Sequence, residues 1–219
     1  MATRAFLSRA KRNPKSMPGR HRIRRLRRGD LPVGTIELAR YLIGKTLLRE
    51  LPQGRLSGRI VETEAYPVGD PAGHAFRGLT PANQSLFLLH GHAYVHFTYG
   101  SCWLMNVTSE LPGVGGGVLI RALEPLEGIE QMKRRRGVHR LLDIARGPGR
   151  LAEALRIDES FDGLDLCDRK SSLWIGTAPK PAGPIGTSAR IGISRAVRRK
   201  LRFYERGNPF VSGTLRQRE

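Results

Sequence analysis

Acidic residues are scarce in this chain: 19 Asp and Glu stand against 38 Lys and Arg in 219 residues, a formal charge of +19. In residues 1–29 there is no acid at all, beside 11 basic residues. The other 190 residues carry 27 basic and 19 acidic groups, or +8, so the excess divides between a basic tail and a moderately basic domain. Such surfaces hold polyanions through counterion release, although a merely solvated basic surface is the plainer alternative. Cysteines are few: Cys102 and Cys167 lie far apart and form no CxxC pattern. That usage points to a reducing compartment and leaves a disulfide between the two open. No apolar run approaches the ~18 residues of a membrane span, and Ala5-Phe6-Leu7 is too short for a secretory core. Aromatic residues make up only 6%, but an apolar content of 39% supports a real core, and the length suits one domain with a tail.

The acid-free segment has the composition of a mitochondrial transit peptide, and a disordered DNA-tethering arm explains it equally well. Pro14, Pro18 and Gly19 interrupt it, so residues 1–29 are expected to be disordered, with a domain over 30–213 and a short tail over 214–219. Within the domain, Thr35–Ile43 has helical periodicity, with Thr35 as N-cap and Gly44 as terminator. Thr46–Leu51 and Leu56–Glu62 read as strands of a hairpin turning at Pro52-Gln53-Gly54. Three Pro and three Gly in residues 67–81 force a loop. A short helix around Asn83–Leu89 and a hairpin of His92–Thr98 with Trp103–Val107, turning at Tyr99-Gly100-Ser101, follow. Gly117–Ala122 is a further strand, Pro125–Arg136 a helix, and Leu151–Leu155 another helix behind Gly147-Pro148-Gly149-Arg150. Short strands are expected around Trp174-Ile175 and over Arg190–Ile193. The sum is an α+β domain on a curved, mostly antiparallel β-sheet with a protruding β-hairpin.

Chemistry concentrates in two places. Glu62, Thr63, Glu64, Ala65 and Tyr66 end one β-like segment, with His74 in the loop after it; Tyr94-Val95-His96-Phe97-Thr98-Tyr99-Gly100 forms the other. Carboxylates, imidazoles and aromatic rings in a basic protein are what chemistry on a nucleobase requires. Strand alternation puts Glu62 and Glu64 on one face and does not choose between them. A cation, Arg121, within the apolar run Val118-Leu119-Ile120 demands a partner. Gly147-Pro148-Gly149-Arg150 reads as a phosphate-facing helix start or as an ordinary tight turn. Lys133–Arg136 reads most simply as a solvated helix face, with DNA contact there as the alternative.

Seven strings, in order from about Leu31 to Ser212, resemble the alkyladenine (3-methyladenine) DNA glycosylase family. They are RIVETEAY (59–66), GHAFRGLTPAN (73–83), YVHFTYG (94–100), MNVTS (105–109), VLIRALEPLEG (118–128), GPGRLAEAL (147–155) and LRFYERGNPFVS (201–212). The resemblance implies a compact α+β fold and a monofunctional enzyme of base excision repair. It would flip alkylated or deaminated purines from double-stranded DNA and hydrolyse the N-glycosidic bond, acting as a monomer without metal or cofactor. By the same resemblance Glu64 is the general base that activates water, and Glu62 is structural. Arg121 attends the water and a phosphate. Tyr66 and His74 wall the base pocket, the former gaining cation–π energy over a cationic purine. Asn106 excludes guanine, Leu119 packs, and Gly149 with Arg150 contacts phosphate. Tyr99, at the hairpin tip, fills the gap left by the extruded nucleotide. His96 stands where many relatives carry a second pocket tyrosine, and a protonated imidazole there would repel a cationic base. An intracellular, DNA-associated enzyme is expected, in the bacterial cytoplasm above a mitochondrion or nucleus.

Two readings of other classes compete: a non-catalytic nucleic-acid-binding module, and a metal-dependent hydrolase using His90, His92 and His96. The metal reading suffers from the turn at His90-Gly91 and from the lack of an HExxH or Cys–His pairing.

Overall fold

Ten consecutive buried residues, Leu56 to Ala65, lie in one strand, which therefore has neighbours on both faces and both edges. The computed structural model describes residues 23–98 and 100–214. In chain order the elements are α1 (Thr35–Leu42), β1 (Thr46–Leu51), β2 (Gly54–Tyr66), β3 (Ala93–Thr98), β4 (Cys102–Thr108) and β5 (Gly117–Glu127). They continue with α2 (Ile129–Arg136), α3 (Pro148–Leu155), β6 (Leu173–Gly176), β7 (Ile185–Ser188) and β8 (Arg202–Glu205). The sheet runs β3-β4-β5-β2-β1-β6, with β8 on β2 and β7 on β8, and every pairing is antiparallel. Along one edge β2 meets β5. Along the other it meets β1 over residues 54–59 and β8 over residues 62–64. That change of partner curls the sheet into a half-barrel, the α+β architecture expected.

Helix α1 lies against the core side of β2, where the Thr63 hydroxyl donates to the Ala39 carbonyl at 2.9 Å. Leu38, Leu42, Leu47, Ile60, Val107, Ile120, Leu151, Leu155 and Phe203 pack there as one core. Helices α2 and α3 are stapled together by Arg135, which donates to the Ala154 carbonyl, and by Arg136, which pairs with Glu153. Of the run Lys133–Arg136, Arg135 and Arg136 thus form a helix–helix seam, while Arg134 is exposed and Lys133 pairs with Glu130 at the surface. No helix among the described residues is long and apolar enough to cross a membrane.

Several local expectations are corrected. Residues 125–127 continue β5, and the helix begins only at Ile129. Pro125 pairs with Gly58 beside a register shift, where its missing N–H interrupts no regular ladder. Thr35 is the first helical residue, not the N-cap; its N–H and hydroxyl donate to Glu110 Oε1 at 3.0 and 2.7 Å, so a distant carboxylate does the capping. Helix α3 starts at Pro148 rather than Leu151, with Pro in the first turn as its fixed φ favours. Arg190–Ile193 form no strand. Residues 1–22 of the expected tail and Tyr99 lie outside the described residues, but the chain just before the helical turn Arg28–Asp30 runs along β6. There Arg25 bridges Gly176 and the Leu26 N–H donates to the Ile175 carbonyl.

The far side of β2 carries an ion pair. Arg59 is fully buried and grips Glu205 through both terminal nitrogens at 2.5 Å. Burial pushes the Glu205 carboxyl up, but bonds from Arg59, the Gly183 N–H and Asn208 outweigh it and hold it at about 2. A carboxylate depressed below its ordinary value of 4.5 gives stability that is present above that pH and lost as pH falls toward 2. Glu205→Gln is expected to lower the unfolding free energy at pH 7 by about 3 kcal/mol. It should also flatten the fall of Tm between pH 5 and pH 2, as followed by circular dichroism.

Candidate active site

The concave face of the sheet opens into a cleft of about 1140 Å³. That exceeds the roughly 300–1,000 Å³ of a small-molecule pocket and leaves room for a nucleotide with some of its backbone. Its floor comes from Asn106 on β4 with Leu119 and Arg121 on β5. Its walls come from Tyr66, His74, Tyr94 and His96 on one side and the 191–195 loop on another. The start of α3, Gly147–Arg150, closes a third side. Gly149 allows that approach, because a Cβ there would lie 2.9 Å from the Cys102 Cβ and Sγ. Both cysteines are free thiols.

Beneath this lining sit two carboxylates that share one guanidinium. Register shifts on either side of Glu62 leave Val61 and Arg121 without partners in the β2–β5 ladder. Such irregularities re-aim side chains. Arg121 donates to Glu62 Oε1 from Nε at 3.0 Å and to Glu64 Oε2 from Nη1 at 3.2 Å. Glu62 also accepts from Arg202 Nε at 2.7 Å, from the Ser212 N–H at 2.6 Å and from the Ser212 hydroxyl at 2.9 Å. Glu64 accepts from the Tyr66 hydroxyl at 3.0 Å and from the Ile191 N–H at 2.7 Å. Neither carboxylate is exposed.

The surroundings push these acids apart. Burial raises both, but around Glu62 the cations Arg121 and Arg202 and the Ser212 N–H prevail, and its carboxyl sits below the usual range. Around Glu64 burial prevails over Arg121, Ile191 and Tyr66, and the nearby Glu62 adds to the rise. One carboxyl is pushed below the ordinary range and its neighbour above it. Two carboxylates separated in this way can divide acid–base work between them.

Every wall residue expected from the sequence lies in the cleft lining, as do Gly149 and Arg150; Glu64 lies one hydrogen bond behind Tyr66, Arg121 and Ile191, all of which line it. Tyr66 has a second neighbour: the Arg190 guanidinium lies 4.5 Å from its ring centre, tied to Asp70 and to the Ala65 carbonyl. A cation already on the ring weakens the cation–π gain expected for a cationic purine. Three functional groups escaped the sequence reading. Tyr94 stacks on His96 with centroids 5.0 Å apart, and its hydroxyl lies 2.8 Å from His74 Nδ1. Strand alternation with His96 was the signal available for it. Ile191 acts through its backbone and Arg202 through a buried contact, and neither leaves a pattern in the sequence.

The histidine rings do not converge as metal ligands. His92 Nδ1 faces the Leu89 carbonyl, while His96 packs against His74 and Tyr94. Among the described residues no group of three His, Cys, Asp or Glu side chains is arranged to hold a metal. Burial, aided by His74, drops the His96 imidazole to about 3, so it is neutral at physiological pH and does not repel a cationic base.

The split between the two acids has a thermodynamic signature. Glu62→Gln removes a charge that three groups require and is expected to cost about 3 kcal/mol or more of stability. Glu64→Gln removes a charge that burial disfavours, so Tm at pH 7 should hold or rise. A raised carboxyl stabilises the fold as pH falls through its folded value, and the variant should lack that limb. Thermal melts of both variants from pH 4 to pH 8 check the pair.

The family model described as "Methylpurine-DNA glycosylase (MPG)" matches residues 31–209. A protein of Mesorhizobium japonicum is 64% identical over 85% of this chain and 89% of its own length. One of Paraburkholderia phytofirmans is 53% identical over 86% and 88%, and one of Granulibacter bethesdensis 47% identical over 83% and 84%. All three are provisionally named 3-methyladenine DNA glycosylases. With a match over most of its length, the chain belongs to the methylpurine-DNA glycosylase family, hydrolases of N-glycosyl bonds.

Proposed function

We propose that this protein excises methylated purines, and deaminated ones such as hypoxanthine, from duplex DNA after flipping them into the aromatic cleft. The observation that carries this reading is the buried Glu64, hydrogen-bonded to Tyr66, Arg121 and Ile191, all three of which line a cleft able to hold a nucleotide.

The attacking water takes the place that the Tyr66 hydroxyl holds on Glu64 Oε2, beside Arg121 and the Ile191 carbonyl. Its oxygen forms a bond to the anomeric carbon of the flipped nucleotide while the bond from that carbon to the base nitrogen breaks. The electron pair leaves with the base, and the proton passes from water to Glu64. Positive charge that develops on the sugar is met by the carboxylate. Arg121, neutralised by Glu62 and Glu64, orients the pair without adding net charge to the pocket. No lysine lines the cleft among the described residues, which supports simple hydrolysis over a Schiff-base lyase step.

Arg77, Arg150 and Arg195 stand around the cleft where the phosphates of a bound strand would run. The β3–β4 hairpin forms the sheet edge beside it, which suits the wedge role of Tyr99. The protein acts as a monomer on this reading, since one chain supplies every group named.

Glu64→Gln is expected to keep its affinity for a duplex carrying a lesion and to lower single-turnover base release by about 10²-fold or more, the usual worth of a general base. Release at the unsubstituted rate would remove Glu64 from its role. Binding without base release by the unsubstituted protein would favour the non-catalytic module instead.

A further inference from the structure

The base-pocket reading leaves open what His96 does there beyond filling space, and its hydrogen bonds answer that. Asn106 Nδ2 lies 3.4 Å from the Tyr94 carbonyl oxygen and 3.5 Å from His96 Nδ1. A carbonyl oxygen only accepts, so the amide turns its nitrogen, not its oxygen, toward this corner. With one N–H given to Tyr94, the other points at His96 Nδ1, which must then offer a lone pair. A neutral imidazole that accepts at Nδ1 carries its proton at Nε2.

The ring's neighbours limit how it can meet an occupant. Tyr94 is stacked on one face, with planes 23° apart, and His74 stands edge-on with centroids 4.3 Å away. His74 is itself held by the Tyr94 hydroxyl at 2.8 Å. Among the described residues nothing accepts from His96 Nε2, and the residue lines the cleft. Since His96 lines the cleft, an Nε2–H on its open edge is available to an occupant.

We infer that His96, its tautomer set by Asn106, is a specificity-determining residue that donates a hydrogen bond from Nε2 to the carbonyl of a flipped 6-oxopurine, favouring such bases over 6-aminopurines. The choice follows from matching donors with acceptors. A 6-oxopurine offers an oxygen where a 6-aminopurine offers N–H, and an N–H facing an N–H leaves two buried donors unpaired. A tyrosine at this position has a hydroxyl that turns to donate or accept, and so imposes no such preference. Asn106 acquires a second task, as the residue that positions the His96 proton.

The inference rests on the base pocket proposed above, and one set of measurements separates the two. Single-turnover release is measured from duplexes carrying hypoxanthine and from duplexes carrying an alkylated adenine, for the unsubstituted protein, His96→Phe and His96→Gln. His96→Phe keeps a flat ring and loses the donor, so the ratio of hypoxanthine to alkyladenine release should fall about tenfold, the usual worth of one buried hydrogen bond. His96→Gln can turn either its N–H or its carbonyl toward the base, so hypoxanthine release should recover while the ratio stays low. A ratio that does not move in His96→Phe overturns the donor role and leaves the glycosylase reading intact. Failure of the unsubstituted protein to release either base overturns the pocket reading itself. Independently of activity and of any variant's folding, ¹⁵N-resolved histidine spectra of the free protein should show His96 protonated at Nε2. Protonation at Nδ1 would overturn the inference.

Discussion

One guanidinium organises the centre of this molecule. Arg121 spans Glu62 and Glu64, and Arg202 with Ser212 completes the shell around Glu62. A lone charge in such a place is untenable, and a single buried pair roughly breaks even against apolar packing. What makes this cluster stand is the supply of further donors: Glu62 receives four hydrogen bonds from three residues. Glu64 receives fewer strong ones and takes the burden of burial. The asymmetry between two glutamates two residues apart is thus a property of the donors around them, not of the strand that carries both.

Those donors come from distant parts of the chain, and the sheet brings them together. Strand β2 hands its outer edge from β1 to β8 at the level of Glu62, which delivers Arg202 beside it and lets the chain past β8 fold back with Ser212. The register shifts in the β2–β5 ladder aim Arg121 across the same two residues. The segment around Ile191 forgoes strand pairing, gives its N–H to Glu64 and turns Arg190 under Tyr66. The irregular parts of the fold therefore gather at the carboxylates, where regular pairing would have consumed the N–H groups the site uses.

Much of this was legible in the sequence, and what was not has physical reasons. The hairpin of β1 and β2, the glycine- and proline-rich loop carrying His74, and the strand pair around His96 all follow from alternation and turn chemistry. Family strings singled out the cleft-lining side chains. Pro125 misled because a proline usually marks an element boundary, whereas here a register shift accommodates it inside a strand. Arg190–Ile193 misled because an alternating segment reads as strand whether or not a neighbour is free to pair with it. Glu110 as the cap of α1 and Ile191 as a backbone donor were invisible, since both act across more than 70 residues of chain through contacts that no local pattern encodes. Tyr66 lies in the cleft lining, but the cation beneath its ring left no signal in the sequence.

Charge gives the pocket its character. The domain is moderately basic, yet inside the cleft burial depresses both His74 and His96 and pushes the Tyr94 phenol up to about 12. Arg121 is cancelled by its carboxylates and Arg190 by Asp70. On the proposed function, a phosphate backbone would be attracted to the arginines of the rim, while a base that enters would meet rings without charge. In such a setting discrimination cannot come from long-range electrostatics, which treats all duplex DNA alike, and must come from the few polar edges that remain inside. Of these, Asn106 and His96 are joined to each other. A substitution at either one changes the proton arrangement of both, so the two positions are one recognition element rather than two independent contacts.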